Sequence, residues 1–237
     1  MTGNRATAWN PVVTELLAAA SPDRTVVVWR VPDRGPAALV SVLAPHTDTV
    51  NSLAWMPDGR RLICVSQDGR AAMWDALLGV FRADLSSHDT HCTMVAVSPA
   101  GLVATVSEDG LIIVGHPDSG VENLAFRHYD SAVECCAWSH SGRTLAVGCD
   151  DGTVDLLTDE GLGHLRTVEV PGAAARTVEW AADDRSFVVG ADDGSLHFFS
   201  IADERTDRSP AAPERYGNHA SAARRPSPPF NLDQENT

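Results

Sequence analysis

The chain has 237 residues, 43% of them hydrophobic, enough to bury a large core. Its formal charge of −14 comes from 32 acids against 18 basic residues, all of them arginine, and that balance argues against electrostatic nucleic-acid binding, which needs a basic face. No apolar run reaches membrane-spanning length and no hydrophobic signal core opens the chain, so a soluble cytoplasmic protein is expected. In chain order, Trp9-Asn10-Pro11 closes a first strand. A hairpin follows over Leu16 to Ala20 and Thr25 to Val31, and then an outer strand over Ala38 to Leu43. Leu62 to Asp75 (LICVSQDGRAAMWD) states the same hairpin most fully: an apolar run, a polar turn ending in Asp-Gly, and a second run closing on Trp-Asp. Leu102 to His116, Leu145 to Thr158 and Phe187 to Ser200 repeat it.

Aligning the turn aspartates gives Asp23, Asp68, Asp109, Asp151 and Asp193, spaced by 45, 41, 42 and 42 residues. A period near forty with two hairpin strands per unit predicts a blade of about four strands in a β-propeller. The turns Met56 to Arg60, Ser98 to Gly101 and Ser139 to Gly142 join first to second strands; the first, Met-Pro-Asp-Gly, has Pro and Gly where a tight connection wants fixed and permissive dihedrals. The expected fold is all-β: an incomplete or open arc of five four-stranded blades over 1–201, bounded at 8–45, 46–87, 88–127, 128–169 and 170–201. Blade one begins inside its own first strand, and blade five is expected to lack its outer strand. Residues 202–237, rich in Pro, Ser, Ala and charge with no period-two pattern, are predicted to be disordered.

These repeats resemble the WD-repeat family. Its members tend to carry a His ahead of the first strand, an Asp in the hairpin turn and Trp-Asp closing the third strand. His46, His88 and His128 lie 22, 21 and 23 residues before Asp68, Asp109 and Asp151. Trp-Asp is intact only at Trp74-Asp75. The family's hydroxyl, four residues before the turn Asp, survives only as Thr105 among Ala19, Cys64, Val147 and Val189. The resemblance implies a buried structural network of His46, Asp68, Trp74, His88, Thr105, Asp109, His128, Asp151 and Asp193. There Asp68 accepts from backbone amides and from His46, whose other nitrogen faces the hydroxyl position beside Trp74. Trp9-Asn10-Pro11 and Val28-Trp29-Arg30-Val31-Pro32 are also similar to coronin-type repeats, over too short a stretch to carry actin binding.

Other polar groupings are weaker. His88-Asp89-Thr90-His91-Cys92 lacks the second short-spaced ligand pair that zinc requires, and Cys135-Cys136 are strand neighbours pointing to opposite faces. Asp150-Asp151-Gly152 and Asp192-Asp193-Gly194 lack the distal Glu of a calcium loop. Cys64, Cys135, Cys136 and Cys149 fall in predicted strands and read as reduced core residues. No phosphate-binding loop or nucleophile elbow is present. In the tail, the Arg224 to Pro229 run suits polyproline II docking less well than plain solvation.

What remains is a face. Loops after the histidines carry Asp48, Asp89 and Asp130; residues before the turn aspartates are Gln67, Glu108, Asp150 and Asp192. Sharing one end of a propeller, their six carboxylates would favour a basic protein partner. The expectation is a non-catalytic interaction scaffold without cofactor or metal, binding neither nucleic acid nor membrane. Self-association, or completion by another propeller segment, would cover its open ends. A regulatory or sensor propeller of a larger signalling protein is the alternative, and a propeller enzyme a third reading that the missing motifs count against.

Overall fold

The computed structural model describes residues 5–44, 46–118 and 125–201. These residues form nineteen β-strands and no helix, so none is long and apolar enough to cross a membrane. The expected disordered tail lies outside the described residues. Five antiparallel sheets follow one another along the chain. The first holds β1 (Ala6–Trp9), β2 (Leu16–Ala20), β3 (Val26–Arg30) and β4 (Ala38–Leu43). The second holds β5 (Val50–Trp55), β6 (Arg61–Ser66), β7 (Arg70–Asp75) and β8 (Val80–Ser87). The third holds β9 (Cys92–Val97), β10 (Val103–Ser107), β11 (Leu111–Gly115) and β12 (Ala125–His128), and the fourth β13 (Val133–Trp138), β14 (Thr144–Cys149), β15 (Thr153–Thr158) and β16 (His164–Glu169). The fifth has three strands: β17 (Ala175–Trp180), β18 (Ser186–Ala191) and β19 (Leu196–Ser200).

Each sheet is a simple meander because its strands are joined by short turns that admit only antiparallel neighbours. Burial is graded across a blade. The second strands β6, β10 and β14 are buried almost end to end, whereas the fourth strand β8 is largely exposed. Continuous burial of a strand means cover on both faces, and neighbouring blades supply it. One apolar cluster joins Ala18, Val26 and Val28 of blade one to Leu53, Leu62 and Cys64 of blade two. Others join Ile63 and Met73 to Val95 and Val103, then Val106 and Ile112 to Leu145 and Leu157, then Val154 and Leu156 to Val178 and Phe187.

The inner strands pack in series, β1 on β5, β5 on β9, β9 on β13 and β13 on β17, and the arc does not close into a ring. Its two ends show the result: Trp9 is 55% exposed in blade one and Phe198 is 78% exposed in blade five. Two rows of polar contacts run across the blades. Near the turns between first and second strands, Trp55 Nε1 donates to the Ala8 carbonyl (3.0 Å) and Trp180 Nε1 to the Ala137 carbonyl (3.0 Å). There too Asn10 Nδ2 donates to the Gly59 carbonyl (2.7 Å), and Asp184 accepts from the amides of His140 and Ser141 (both 2.7 Å). At the opposite end, Asn51 Nδ2 donates to the Cys92 carbonyl (2.8 Å) and Thr93 Oγ1 to the Val133 carbonyl (2.7 Å). Arg176 pairs there with Glu134 at 2.7 Å. Asn51, Glu134 and Arg176 sit at register shifts in β5, β13 and β17, where a bulge re-aims the side chain across the seam.

The hairpin turns need glycine for space as well as backbone. Gly110 has φ +80°, and a Cβ there would lie 2.1 Å from the Tyr129 carbonyl oxygen; Gly161, at φ +70°, has open space. Gly161→Ala should cost about 1 kcal/mol, the left-handed backbone penalty alone. Gly110→Ala should cost more, because the chain must also move; urea unfolding of the two variants beside the parent reads the difference.

Candidate functional site

In blades two, three and four the hairpin turn hydrogen-bonds the chain as it leaves the fourth strand, and this register fixes which residue leads the next blade. The Gly69 carbonyl accepts from the His88 amide, Gly110 from Tyr129 and Gly152 from Val170, each at 2.8 Å. Tyr129 therefore stands in blade four where His88 stands in blade three. His128 is one residue early: it ends β12, pairs with Leu111 in the sheet of blade three, and is exposed. The expectation that His128 joins a buried network of blade four is corrected accordingly. Side chains alternate faces along a strand, so a one-residue offset turns the imidazole to solvent.

In blade two, Asp68 accepts from the amides of Thr47 (2.9 Å) and Arg70 (3.0 Å), and both its oxygens lie 3.1 Å from His46 Nδ1. A carboxylate can only accept, so Nδ1 carries the proton. The far side of the network is missing. His46 Nε2 and Trp74 Nε1 are buried without a hydrogen-bond partner, because Cys64 occupies the hydroxyl position and points its thiol at the Ala72 carbonyl (3.6 Å). Blade three has the converse arrangement. His88 Nε2 lies 3.0 Å from Thr105 Oγ1, which also meets Ser86 Oγ at 3.0 Å, while Nδ1 stays 3.6 Å from Asp109. Asp109 accepts instead from the amides of Asp89 (3.0 Å) and Leu111 (2.8 Å).

Blades four and five keep only the turn. Asp151 accepts from the Thr153 amide (2.9 Å) and Asp193 from the Ser195 amide (2.8 Å); both carboxylates are exposed. Blade four spends its buried charge elsewhere, on Asp155. That residue receives Tyr129 Oη (2.9 Å), Arg127 Nη2 (3.2 Å) and Thr167 Oγ1. Sequence reasoning missed this cluster. The signal was a carboxylate inside an apolar strand, Val154-Asp155-Leu156-Leu157, because a buried acid must be paired. Tyr129 was also in view, since it lies 22 residues before Asp151, the same interval as His46 to Asp68.

Burial pushes the His46 and His88 imidazoles below the usual histidine range, outweighing the pull of Asp68 and Asp109. Both are neutral at pH 7. Burial pushes the Asp68 and Asp109 carboxyls up, but the amides of Thr47 and Arg70, and of Leu111 and Asp89, outweigh it and hold both below the ordinary carboxylate range. His91 is exposed and pairs with Glu108 at 3.1 Å, whereas Cys92 is buried. The His88 to Cys92 run thus does not converge, and among the described residues no group of three His, Cys, Asp or Glu could hold a metal ion. All five thiols are buried; burial pushes Cys92, Cys135 and Cys149 up to about 12.

Asp48, Asp89, Glu108, Asp130, Asp150 and Asp192 are exposed and Gln67 is half-buried. In each blade from the second to the fifth, the residue before the turn Asp bonds the leading loop. The amides of Gln67, Glu108, Asp150 and Asp192 donate to Thr49, His91, Ala132 and Ala174. The acids are not equivalent. Arg176 lies 3.1 Å from Asp150 and 3.9 Å from Asp192, so the seam between blades four and five is internally compensated. No arginine pairs with Asp48, Asp89 or Asp130 among the described residues.

Residues 37–75 and 115–156 match the family model of the WD domain, G-beta repeat. Human Coronin-7 is 34% identical over 123 residues, 49% of this chain and 13% of that protein. The Intraflagellar transport protein 122 homolog of Danio rerio is 25% identical over 172 residues, 72% of this chain and 14% of that protein. The chain thus spans a small fraction of the relatives it matches. Among solved structures, the β-propeller domain of Cps50 (Swd1) from Myceliophteria thermophila superposes with a TM-score of 0.72 at 16% identity. The match covers 87% of this chain and 71% of that one, a likeness of fold.

Cys64→Ser should stabilise the protein by about 1–2 kcal/mol, since one hydroxyl can donate to His46 Nε2 and accept from Trp74 Nε1. Asp68→Ala should cost about 1–3 kcal/mol by stranding its donors, and Trp74→Ala about 3 kcal/mol or more. Urea unfolding measures all three, and a destabilised Cys64→Ser would contradict the account of the two orphaned nitrogens.

The network also sets the acid sensitivity. The folded imidazoles titrate below the ~6.5 of the unfolded chain, so the unfolded state binds more protons. The contribution of His46 and His88 is complete above about pH 6.5 and is lost as pH falls through their folded values. That of Asp68 and Asp109 is complete above about pH 3.9 and is lost below it. Melting temperature against pH should show both limbs, and the double variant His46→Gln, His88→Gln should flatten only the upper one.

Proposed function

From the repeats that match the model of the WD domain and the open β-propeller arc they form, we propose that the chain is a non-catalytic interaction platform whose loop-bearing end takes a basic protein segment. The observation that carries this reading is the set of exposed carboxylates on the leading loops of blades two to four. Among the described residues, Asp48, Asp89 and Asp130 have no counterpart of the Arg176 that compensates Asp150 and Asp192. Uncompensated charge on rigid loops steers an oppositely charged partner and discriminates against acidic ones. The loops of blades two and three are held by Asp68 and Asp109, which accept from the Thr47 and Asp89 amides, so a bound segment would meet a preorganised surface there.

The test is capture of partners from the native organism by the parent and by the triple variant Asp48→Arg, Asp89→Arg, Asp130→Arg, across a salt series. The triple variant should bind on the order of tenfold more weakly at low salt, with the gap narrowing as salt rises. Reversing Asp150 and Asp192, which already face Arg176, should change much less. Equal capture by parent and triple variant at every salt concentration contradicts the proposal.

The exposed faces of the terminal blades favour a second reading, in which the arc is completed by another propeller segment. That segment would be a second copy, a partner, or further blades of a larger signalling protein in which this unit is regulatory. Trp9, Trp29, Leu196 and Phe198 form apolar surface of the kind buried at every internal seam, and such patches drive association. Light scattering should detect association at micromolar concentration that Phe198→Asp abolishes; a parent that stays monomeric throughout speaks against completion by self-association.

A further inference from the structure

The third strand of blade two ends on a buried charge. Asp75 closes β7 and is 1% exposed, and a buried carboxylate needs partners. Its Oδ1 accepts from the Leu78 amide at 3.2 Å, while its Oδ2 accepts from two arginines, Arg60 Nε and Arg82 Nη2, each at 2.7 Å. Arg60 comes from the turn between β5 and β6. Arg82 comes from β8, where Trp74 pairs with Phe81 and Met73 with Ala83. It is thus the unpaired residue of a bulge, which re-aims its side chain at Asp75. Burial pushes the Asp75 carboxyl up, but the two arginines and the Leu78 amide outweigh it and hold it below the ordinary carboxylate range. Asp75 is therefore ionised at neutral pH.

One guanidinium would neutralise Asp75, so the second is surplus. Among the described residues no other carboxylate meets two arginines. Elsewhere the balance runs the other way: Arg61 is shared by Asp58 and Asp118, and Arg176 by Glu134, Asp150 and Asp192. Two cations on one oxygen have their bonded nitrogens no more than about 5.4 Å apart, twice the 2.7 Å of each bond. A guanidinium carries five N–H groups, and each of the two spends one on Asp75. The rest have no acceptor among the described residues, and the side chains are 60% exposed for Arg60 and 42% for Arg82. They border a polar depression of about 410 Å³ whose other walls are Asp58 and Arg61, spent on each other at 2.6 Å. In the turn that follows Asp75, Leu77 and Leu78 stand 41% and 65% exposed.

We propose that this arginine pair receives a carboxylate from a partner polypeptide, an acidic side chain flanked by apolar residues. Guanidinium forks match the planar carboxylate two bonds at a time, and a single negative charge cancels the surplus cation. Asp75 holds the pair in place beforehand, so little ordering remains to be done on binding. Leu77 and Leu78 offer apolar cover to the residues beside the acid. The inference takes its partner from the platform reading but uses none of its residues. It places a second contact, of opposite charge preference, at the end of the blade away from the acidic loops.

The probe is the blocked dipeptide acetyl-Leu-Glu-amide, titrated into the full chain at constant ionic strength while NMR follows the Nε–H resonances of Arg60, Arg61 and Arg82. Its uncharged isostere acetyl-Leu-Gln-amide, acetate and inorganic phosphate are titrated beside it. Saturable shifts at Arg60 and Arg82 are expected with the Glu peptide and not with the Gln peptide, and acetate should bind more weakly. Arg60→Gln and Arg82→Gln should each weaken the peptide by about tenfold; either variant leaves Asp75 one arginine. Leu78→Ser should weaken the peptide and leave acetate unchanged. No shift up to the solubility limit, equal shifts with the Gln peptide, or binding that survives both arginine variants overturns the proposal. Acetate that binds as well as the peptide overturns it too, and assigns the pair to a free carboxylate. Phosphate that binds more tightly than the peptide overturns the choice of carboxylate. The Asp48, Asp89, Asp130 charge variant should bind the peptide like the parent, so failure here and failure of the acidic surface are separate results.

Discussion

A sheet whose second and third strands are apolar on both faces, such as β6 and β7 with Leu62, Ile63, Cys64, Val65, Ala71 and Met73, must be covered from two sides before it is stable in water. In this chain the cover always comes from the next copy of the same sheet. Stability is therefore a property of seams more than of blades, and approximates a sum of nearest-neighbour terms. The terminal faces, where a seam has only one side, are where exposed Trp9 and Phe198 appear.

The polar bonds follow the same geometry. Among the described residues, only His46 with Asp68 and His88 with Thr105 keep recognisable halves of the internal network. What recurs instead is a side chain reaching a backbone carbonyl or amide one blade away: Trp55 to Ala8, Trp180 to Ala137, Asn51 to Cys92, Thr93 to Val133, Asp184 to His140 and Ser141. A backbone acceptor is present whatever the residue type, so these links tolerate sequence drift that would break a side-chain quartet.

The blades were legible in the sequence because their signals are local. Asp-Gly turns and apolar pairs of strands repeat at a fixed period. Offsets of one residue were not legible from spacing alone. His128 and Tyr129 are adjacent, both are polar aromatics, and only the hydrogen bond to Gly110 decides which faces inward. Contacts across a seam were hidden for a different reason. Asp155 with Arg127, and Arg176 with Asp150, join residues 28 and 26 positions apart whose meeting depends on how two sheets stack. The carboxylates could be counted from the sequence, but their compensation could not.

The buried thiols give the arc an internal clock. Cys64 lies in blade two, Cys92 in blade three, and Cys135, Cys136 and Cys149 in blade four, all with burial pushing them away from the reactive thiolate. An alkylating reagent can reach none of them until a seam parts, and each then reports the opening of its own blade. Trapping rates read thiol by thiol would rank the seams by how often they part, from the centre of the arc outward. The same shielding delays oxidative damage until the sheets have already come apart.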